Sequence, residues 1–275
     1  MRIRKRCCFN INEKAELLEY LNKNNIKYTL TEWLCAFEIY TDDPHWNEIT
    51  QCVEGEFVYT ETEYSPAELA DAQWLSVRSK WQFGYPQPEL TFITANKTYD
   101  LSNECSECGC GTVQVKPFRI KKTPKWGKRF FGGLHWIGDE LFVNDAAKQI
   151  LVENQVSGIS FMDVLDKNGK ERLPDISQLV ITDVLELGLI GDKPSIRQQN
   201  RCSLCGKLKT VISGTGPLYF HKEIFEGQKE IVKTGDLFGS MHYVSRRILI
   251  QQRVYQLLKA NKLDRGLVFE PVILE

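Results

Sequence analysis

The sequence predicts an α+β protein: a small N-terminal α/β layer followed by a larger α+β domain stapled by a metal. Three observations predict it. A short helix-periodic segment stands among β-rich runs at the start of the chain, two Cys-x-x-Cys-Gly motifs lie far apart, and the later half twice reads as strand, helix and glycine-opened strand.

The first element is a strand-like run at residues 2–9. In residues 13–24, Ala15, Leu17, Leu18 and Leu21 fall on one helical stripe, with Asn12 as the expected N-cap and Asn24-Asn25 as the expected stop. Residues 26–30 and 33–40 are rich in β-formers, and a short helix is expected between Asp43 and Val53. Ser65-Pro66-Ala-Glu-Leu opens another helix, expected over 65–80, because serine caps and proline suits the first helical position. The stretch Gly84-Tyr-Pro-Gln-Pro-Glu breaks it, which predicts domains at 1–84 and 85–275 with a strand at 89–94.

Residues 140–165 and 236–273 read alike as strand, helix and strand, the second helix beginning near Ser245-Arg-Arg-Ile-Leu. Their last strands open on Gly158-Ile-Ser-Phe-Met-Asp-Val and Gly266-Leu-Val-Phe-Glu-Pro-Val. This is a weak internal repeat, and two unrelated helix ends that each need a capping glycine would look the same.

At 275 residues and 42% hydrophobic content the chain can bury real cores in one large or two medium domains. Thirty-five basic side chains against 36 acidic ones argue against a dedicated nucleic-acid binder. The basic start Met1-Arg-Ile-Arg-Lys-Arg lacks a signal-peptide core, and no apolar run approaches the roughly 20 residues of a membrane helix, so a soluble, cytoplasmic protein is expected. In that compartment nine cysteines read as metal ligands and free thiols, not as disulfides.

The two motifs are Cys105-Ser-Glu-Cys108-Gly109 and Cys202-Ser-Leu-Cys205-Gly206. Two residues between cysteines let one tight turn aim both sulfurs at one ion, and four thiolates satisfy a tetrahedral Zn²⁺ with no position left for water. The predicted site is therefore a structural zinc held by Cys105, Cys108, Cys202 and Cys205. Each glycine can take the positive φ that turns backbone amides toward the thiolates. Cys110 is a neighbouring free thiol that could replace a ligand. Because a compact ribbon has roughly 15–20 residues between pairs, the region 138–190 is expected to be a large insertion. Two separate redox pairs are the competing reading. Cys7, Cys8, Cys35 and Cys52 are expected to be buried free thiols.

Charge is uneven. No lysine or arginine occurs between Tyr28 and Val77, where Glu32, Glu38, Asp42, Asp43, Glu48, Glu61, Glu63, Glu68 and Asp71 lie, which could form a surface for a cationic partner protein. Residues 116–129 hold Lys116, Arg119, Lys121, Lys122, Lys125, Lys128 and Arg129 interleaved with Phe118 and Trp126, a strip that could grip nucleic acid. Solvated or mutually neutralised faces would give both patterns. His45, His135, His221 and His242 fit no zinc-hydrolase motif, and Ser213-Gly-Thr-Gly216 lacks the lysine of a phosphate loop and reads as a hairpin turn. No catalytic residues are predicted.

The paired Cys-x-x-Cys-Gly motifs, with Gly109, Gly206 and the closing Gly266–Val272 segment, resemble the bacterial double-CxxCG motif proteins over roughly residues 100–275. Members of that family are regarded as immunity proteins of contact-delivered toxin systems. The resemblance implies a non-enzymatic cytoplasmic protein that neutralises a cognate toxin by binding it. A zinc-containing nucleic-acid-binding accessory protein is the alternative. The family's first pair tends to lie nearer the N-terminus.

Overall fold

The computed structural model describes residues 1–53, 57–88 and 98–275, so the strand expected at 89–94 lies outside the described residues. The chain begins β1 (Arg2–Asn10), α1 (Ala15–Lys23), β2 (Tyr28–Leu30), β3 (Leu34–Tyr40), α2 (Trp46–Cys52) and β4 (Phe57–Glu63). The strands form one antiparallel sheet in the order β2-β3-β1-β4. Helix α1 lays Leu17 and Leu21 against Cys7, Phe9, Cys35, Phe37 and Ile39, which alternate inward along β1 and β3. Its N-cap is Lys14, not Asn12, because the Asn10 side chain accepts the Asn12 amide and holds a turn that delays the helix.

Helix α3 (Pro66–Asp71) opens on a full Ser65–Glu68 capping box but stops far short of residue 80. Ala72 is extended, and Trp74–Ser79 is a strand, β5, because Trp74, Leu75, Ser76 and Val77 are all buried, which suits a strand covered on both faces. β5 sits in the middle of a sheet whose other strands come from the C-terminal part of the chain. The part with its own sheet and core therefore ends at β4, ahead of the division expected at residue 84.

A hairpin of β6 (Tyr99–Asp100) and β7 (Val113–Gln114) leads to β8 (Arg119–Ile120), β9 (Phe131–Leu134), β10 (Ile137–Val143), α4 (Asp145–Glu153), β11 (Ile159–Asp166) and β12 (Arg172–Ile181). A second hairpin of β13 (Ile196–Arg201) and β14 (Leu208–Ile212) leads to β15 (Leu218–Phe220), β16 (Ile231–Lys233), β17 (Leu237–Phe238), β18 (Ile248–Gln251), α5 (Gln252–Ala260) and β19 (Leu267–Leu274).

Two five-stranded sheets result, β8-β11-β12-β10-β9 and β15-β19-β5-β18-β16, and they are the same object built twice. In each, the first pair is parallel and the others antiparallel. Registers coincide as well. Leu179 of β12 faces Leu141 and Phe161, as Val77 of β5 faces Ile248 and Phe269. Val143 faces Phe131, as Ile250 faces Ile231. The helix ends match atom for atom: Asn154 and Asn261 cap α4 and α5, each with its side-chain Nδ2 on the carbonyl four residues back, and Gln155 and Lys262 take positive φ before Gly158 and Gly266.

The central strands are exchanged. β5 precedes the first copy in sequence but pairs inside the second sheet, and β12 precedes the second copy but pairs inside the first. After leaving, each returns to its own sheet's edge, Gln82 bridging Gly133 and Val184 bridging Lys233. Both sheets and both helices share one core of Leu75, Val77, Leu141, Val143, Leu151, Leu179, Ile248, Ile250, Val254 and Leu258. The repeat glimpsed at 140–165 and 236–273 is thus real and larger. Its second strand is β18, however, not the segment at 236–238, and its second helix starts at Gln252, not near Ser245. The region 138–190 is no insertion, since it holds the first copy's own β10, α4 and β11. Ser213–Gly216 joins strands of different sheets, so it is no hairpin. It receives β4 instead, Thr62 Oγ1 donating to the Gly214 carbonyl and accepting from the Gly216 amide.

Removing β5 should unpair β18 and β19 together. A fragment 85–275 is expected to lose its cooperative thermal transition by circular dichroism, whereas 65–275 should keep one; equal behaviour of the two would contradict the exchanged-strand arrangement.

Candidate metal centre

Each Cys-x-x-Cys loop closes the tip of one hairpin, the first between β6 and β7 and the second between β13 and β14. The loops are built alike. The Cys105 amide donates to the Cys110 carbonyl at 2.8 Å and the Cys202 amide to the Lys207 carbonyl at 2.9 Å. Gly109 and Gly206 donate back to the carbonyls of Cys105 and Cys202, with φ values of 72° and 71°. The amides of Glu107 and Cys108 point at the Cys105 sulfur, as those of Leu204 and Cys205 point at the Cys202 sulfur. Such backbone donors are what a pair of thiolates needs around it.

The four predicted residues come together. Cys105, Cys108, Cys202 and Cys205 have sulfurs all within 4.8 Å of one another, a group that could hold a metal ion. Cys105 Sγ lies 3.7 Å from Cys202 Sγ and Cys108 Sγ lies 3.5 Å from Cys205 Sγ. The donor set is soft, and these separations approach the tetrahedron edge of about 3.8 Å that four metal–sulfur bonds of about 2.3 Å require. Cys110 is buried beside Cys108 but stands outside the group of four. The sulfurs are electrostatically unequal: the Cys108 amide, more than any other influence, pulls the Cys105 thiol down to about 7, while burial pushes Cys108 up to about 11.

Sequence reading misses two supporting residues. Glu107, in the first loop, clasps the second: one carboxylate oxygen accepts from Ser203 Oγ at 2.8 Å, the Leu204 amide at 3.1 Å and Cys202 Sγ at 3.3 Å. Lys209 is buried just behind the tip of the second hairpin, its Nζ donating to the carbonyls of Cys108, Met241 and Tyr243. Among the described residues it has no carboxylate partner, so it would offer positive charge to the sulfurs if a metal held them as thiolates. Neither position carries a spacing signal that could single it out.

The remaining candidates disperse. The His45 ring meets the Tyr20 hydroxyl at 3.0 Å, and His135 stacks on Tyr85. In the basic strip, Phe118 and Trp126 are core residues, so they are not available to stack on bases, and exposed lysines remain. Much of the acidic stretch is internally paired, Glu38, Glu61 and Glu63 with Arg4, Asp42 with Arg2, and Glu68 with the N-terminal amine. Cys7 and Cys35 are buried thiols, raised by burial to about 12 and about 11, but Cys8 is half-buried and Cys52 is exposed at the end of α2. No helix among the described residues is long and apolar enough to cross a membrane. No known protein family matches the chain, and no curated protein sequence matches it.

The two loop glycines share a backbone conformation but not their surroundings. A Cβ on Gly109 would sit 2.4 Å from the His242 carbonyl oxygen, whereas nothing lies within 4 Å of one on Gly206. Gly206→Ala should cost about 1–2 kcal/mol, the conformational strain alone, and Gly109→Ala clearly more, measured by chemical denaturation; equal losses would count against the observed contact.

Proposed function

We propose that this chain is a non-catalytic binding protein of the immunity type, held in shape by one structural Zn²⁺ and neutralising a cognate toxin by direct contact. The observation that carries the metal assignment is the group of four sulfurs within 4.8 Å of one another, two of the separations being close to a tetrahedron edge. Zinc suits a closed all-thiolate set, since it needs no open position and no redox change. A zinc held by four thiolates carries net negative charge, which buried Lys209 would offset, and Glu107 would hold the second loop in place. Ligands contributed in equal number by two copies of one unit make the ion a staple between them.

The binding role rests on the resemblance of the two motifs and on one exposed feature of the N-terminal layer. At the turn joining β2 to β3, Leu30, Trp33 and Leu34 project into solvent with Trp33 59% exposed, beside Glu32. Exposed tryptophan ringed by smaller apolar groups is typical of contact hot spots. With much of the acidic stretch already paired to β1, this tip is the narrower candidate for the toxin contact.

Elemental analysis of protein purified without added metal should find about one zinc per chain, and Cys202→Ser should abolish it together with the folding transition of the duplicated part. No metal, or an unshifted melting temperature in that variant, would remove the staple. Binding is tested by calorimetry with a toxin domain encoded in the same locus. Trp33→Ala is expected to weaken the complex by about 2 kcal/mol, roughly thirtyfold, with zinc content unchanged, and absence of both complex and growth protection would dispose of the immunity role.

A further inference from the structure

Where the two copies differ, they differ in charge. Glu140 of β10 and Arg247, just ahead of β18, occupy equivalent register positions, one residue before Leu141 and Ile248. Glu140 is buried and satisfied, its carboxylate bonded to Lys233 of the other copy's β16 and to Gln178. The position equivalent to Lys233 is Gly133 in β9, which has no side chain to offer. The counterpart of the Glu140–Lys233 pair is therefore a guanidinium facing a missing partner.

The guanidinium behaves accordingly. Arg247 Nε is shut off from solvent and makes no hydrogen bond, and no ion pair forms to Arg247 among the described residues. Burial lowers its affinity for its proton, against the pull of Glu270, which itself lies 3.6 Å from Arg78. The guanidinium carbon lies 5.4 Å from the centre of the Phe238 ring. A guanidinium does not shed its proton in a protein, so the desolvation of Nε is offset only in part by Glu270 and Phe238 until an anion arrives.

Space for one is present. Arg247 lines a cavity of about 350 Å³ with Gly133, Arg78, Arg246, Tyr243 and Glu140, whose carboxylate is taken up by Lys233 and Gln178. Arg78 is already paired with Glu61 and Arg246 donates to the carbonyls of Thr234 and Gly235, which leaves Arg247 as the open donor. The volume lies at the small end of ligand pockets, roughly 300–1,000 Å³, which suits a metabolite and not a polymer.

We propose that this cavity binds a small organic anion whose phosphate or carboxylate group pairs with the Arg247 fork, taking the place that Gly133 leaves empty. The planar guanidinium accepts either head group in bidentate fashion. The site is separate from the cysteine cluster and from the exposed Trp33 tip, so it stands or falls independently of the toxin reading.

Thermal melting and calorimetry of the full chain, at matched ionic strength, with inorganic phosphate in one arm and succinate in the other and chloride as reference, test it. Wild type should be stabilised by at least one of the two, and the arm that responds identifies the head group. Arg247→Met should melt at or above wild type in chloride, having lost a half-buried charge whose Nε has no partner, and should bind the responding anion at least about tenfold more weakly. Gly133→Glu, which supplies an internal carboxylate at a position with ordinary φ, should likewise lose the response while gaining stability. Absence of a response to both anions in wild type, or an equal response in wild type and Arg247→Met, overturns the proposal.

Discussion

The structure depends on the exchange of two strands. β5 and β12 each lie at the centre of the sheet that the other copy builds; the first sheet is made of the consecutive strands β8 to β12, whereas the second cannot close without β5 from far upstream. A central strand supplies hydrogen bonds on both edges and side chains to both faces, and these two are accordingly among the most completely buried stretches, with Leu75 and Leu179 essentially inaccessible. The exchange makes the two copies one cooperative object with a common core.

That arrangement explains the cysteine spacing. Cys105 and Cys202 are 97 residues apart, as are Cys108 and Cys205, because each pair of contacting sulfurs comes from equivalent places in the two copies. A separation that reads as a large insertion within one zinc ribbon is one repeat length. The four-cysteine group thus joins two already paired units at their hairpin tips, a fourth point of contact beside the two exchanged strands and the shared core.

Local chemistry is legible in the sequence and long-range pairing is not. The α+β class, helix α1, the Ser65–Pro66 start of α3 and the four clustered cysteines follow from periodicity, capping and spacing, which act over a few residues. Trp74–Ser79 reads as helix because the capping signal before it is strong, and nothing local reveals that its partners lie at Ile248–Gln251 and Leu267–Leu274. The repeat is visible only where a glycine opens a strand, because elsewhere the copies keep apolar character and register without identity: Phe142 against Leu249, Ile176 against Trp74, Ala147 against Val254. Packing tolerates such exchanges so long as volume is redistributed. Glu107 and Lys209 are invisible for the opposite reason, since a single charged residue acquires meaning only from what folding brings beside it.

Equivalence between copies also separates what builds the frame from what was added to it. Many matching positions are apolar, capping or glycine, although Ser177 stands where the other copy has Leu75. The longest departure lies where β9 and β10 are joined by a tight turn while β16 and β18 are joined by a long excursion containing β17. From that excursion Leu237 and Val244 pack on the cysteine cluster, Met241 and Tyr243 present carbonyls to Lys209, and the His242 carbonyl presses on Gly109. The same excursion supplies Phe238, Ser240 and Arg246 to the cavity at Arg247. One unmatched segment therefore covers the cysteine cluster on one side and walls the charged cavity on the other.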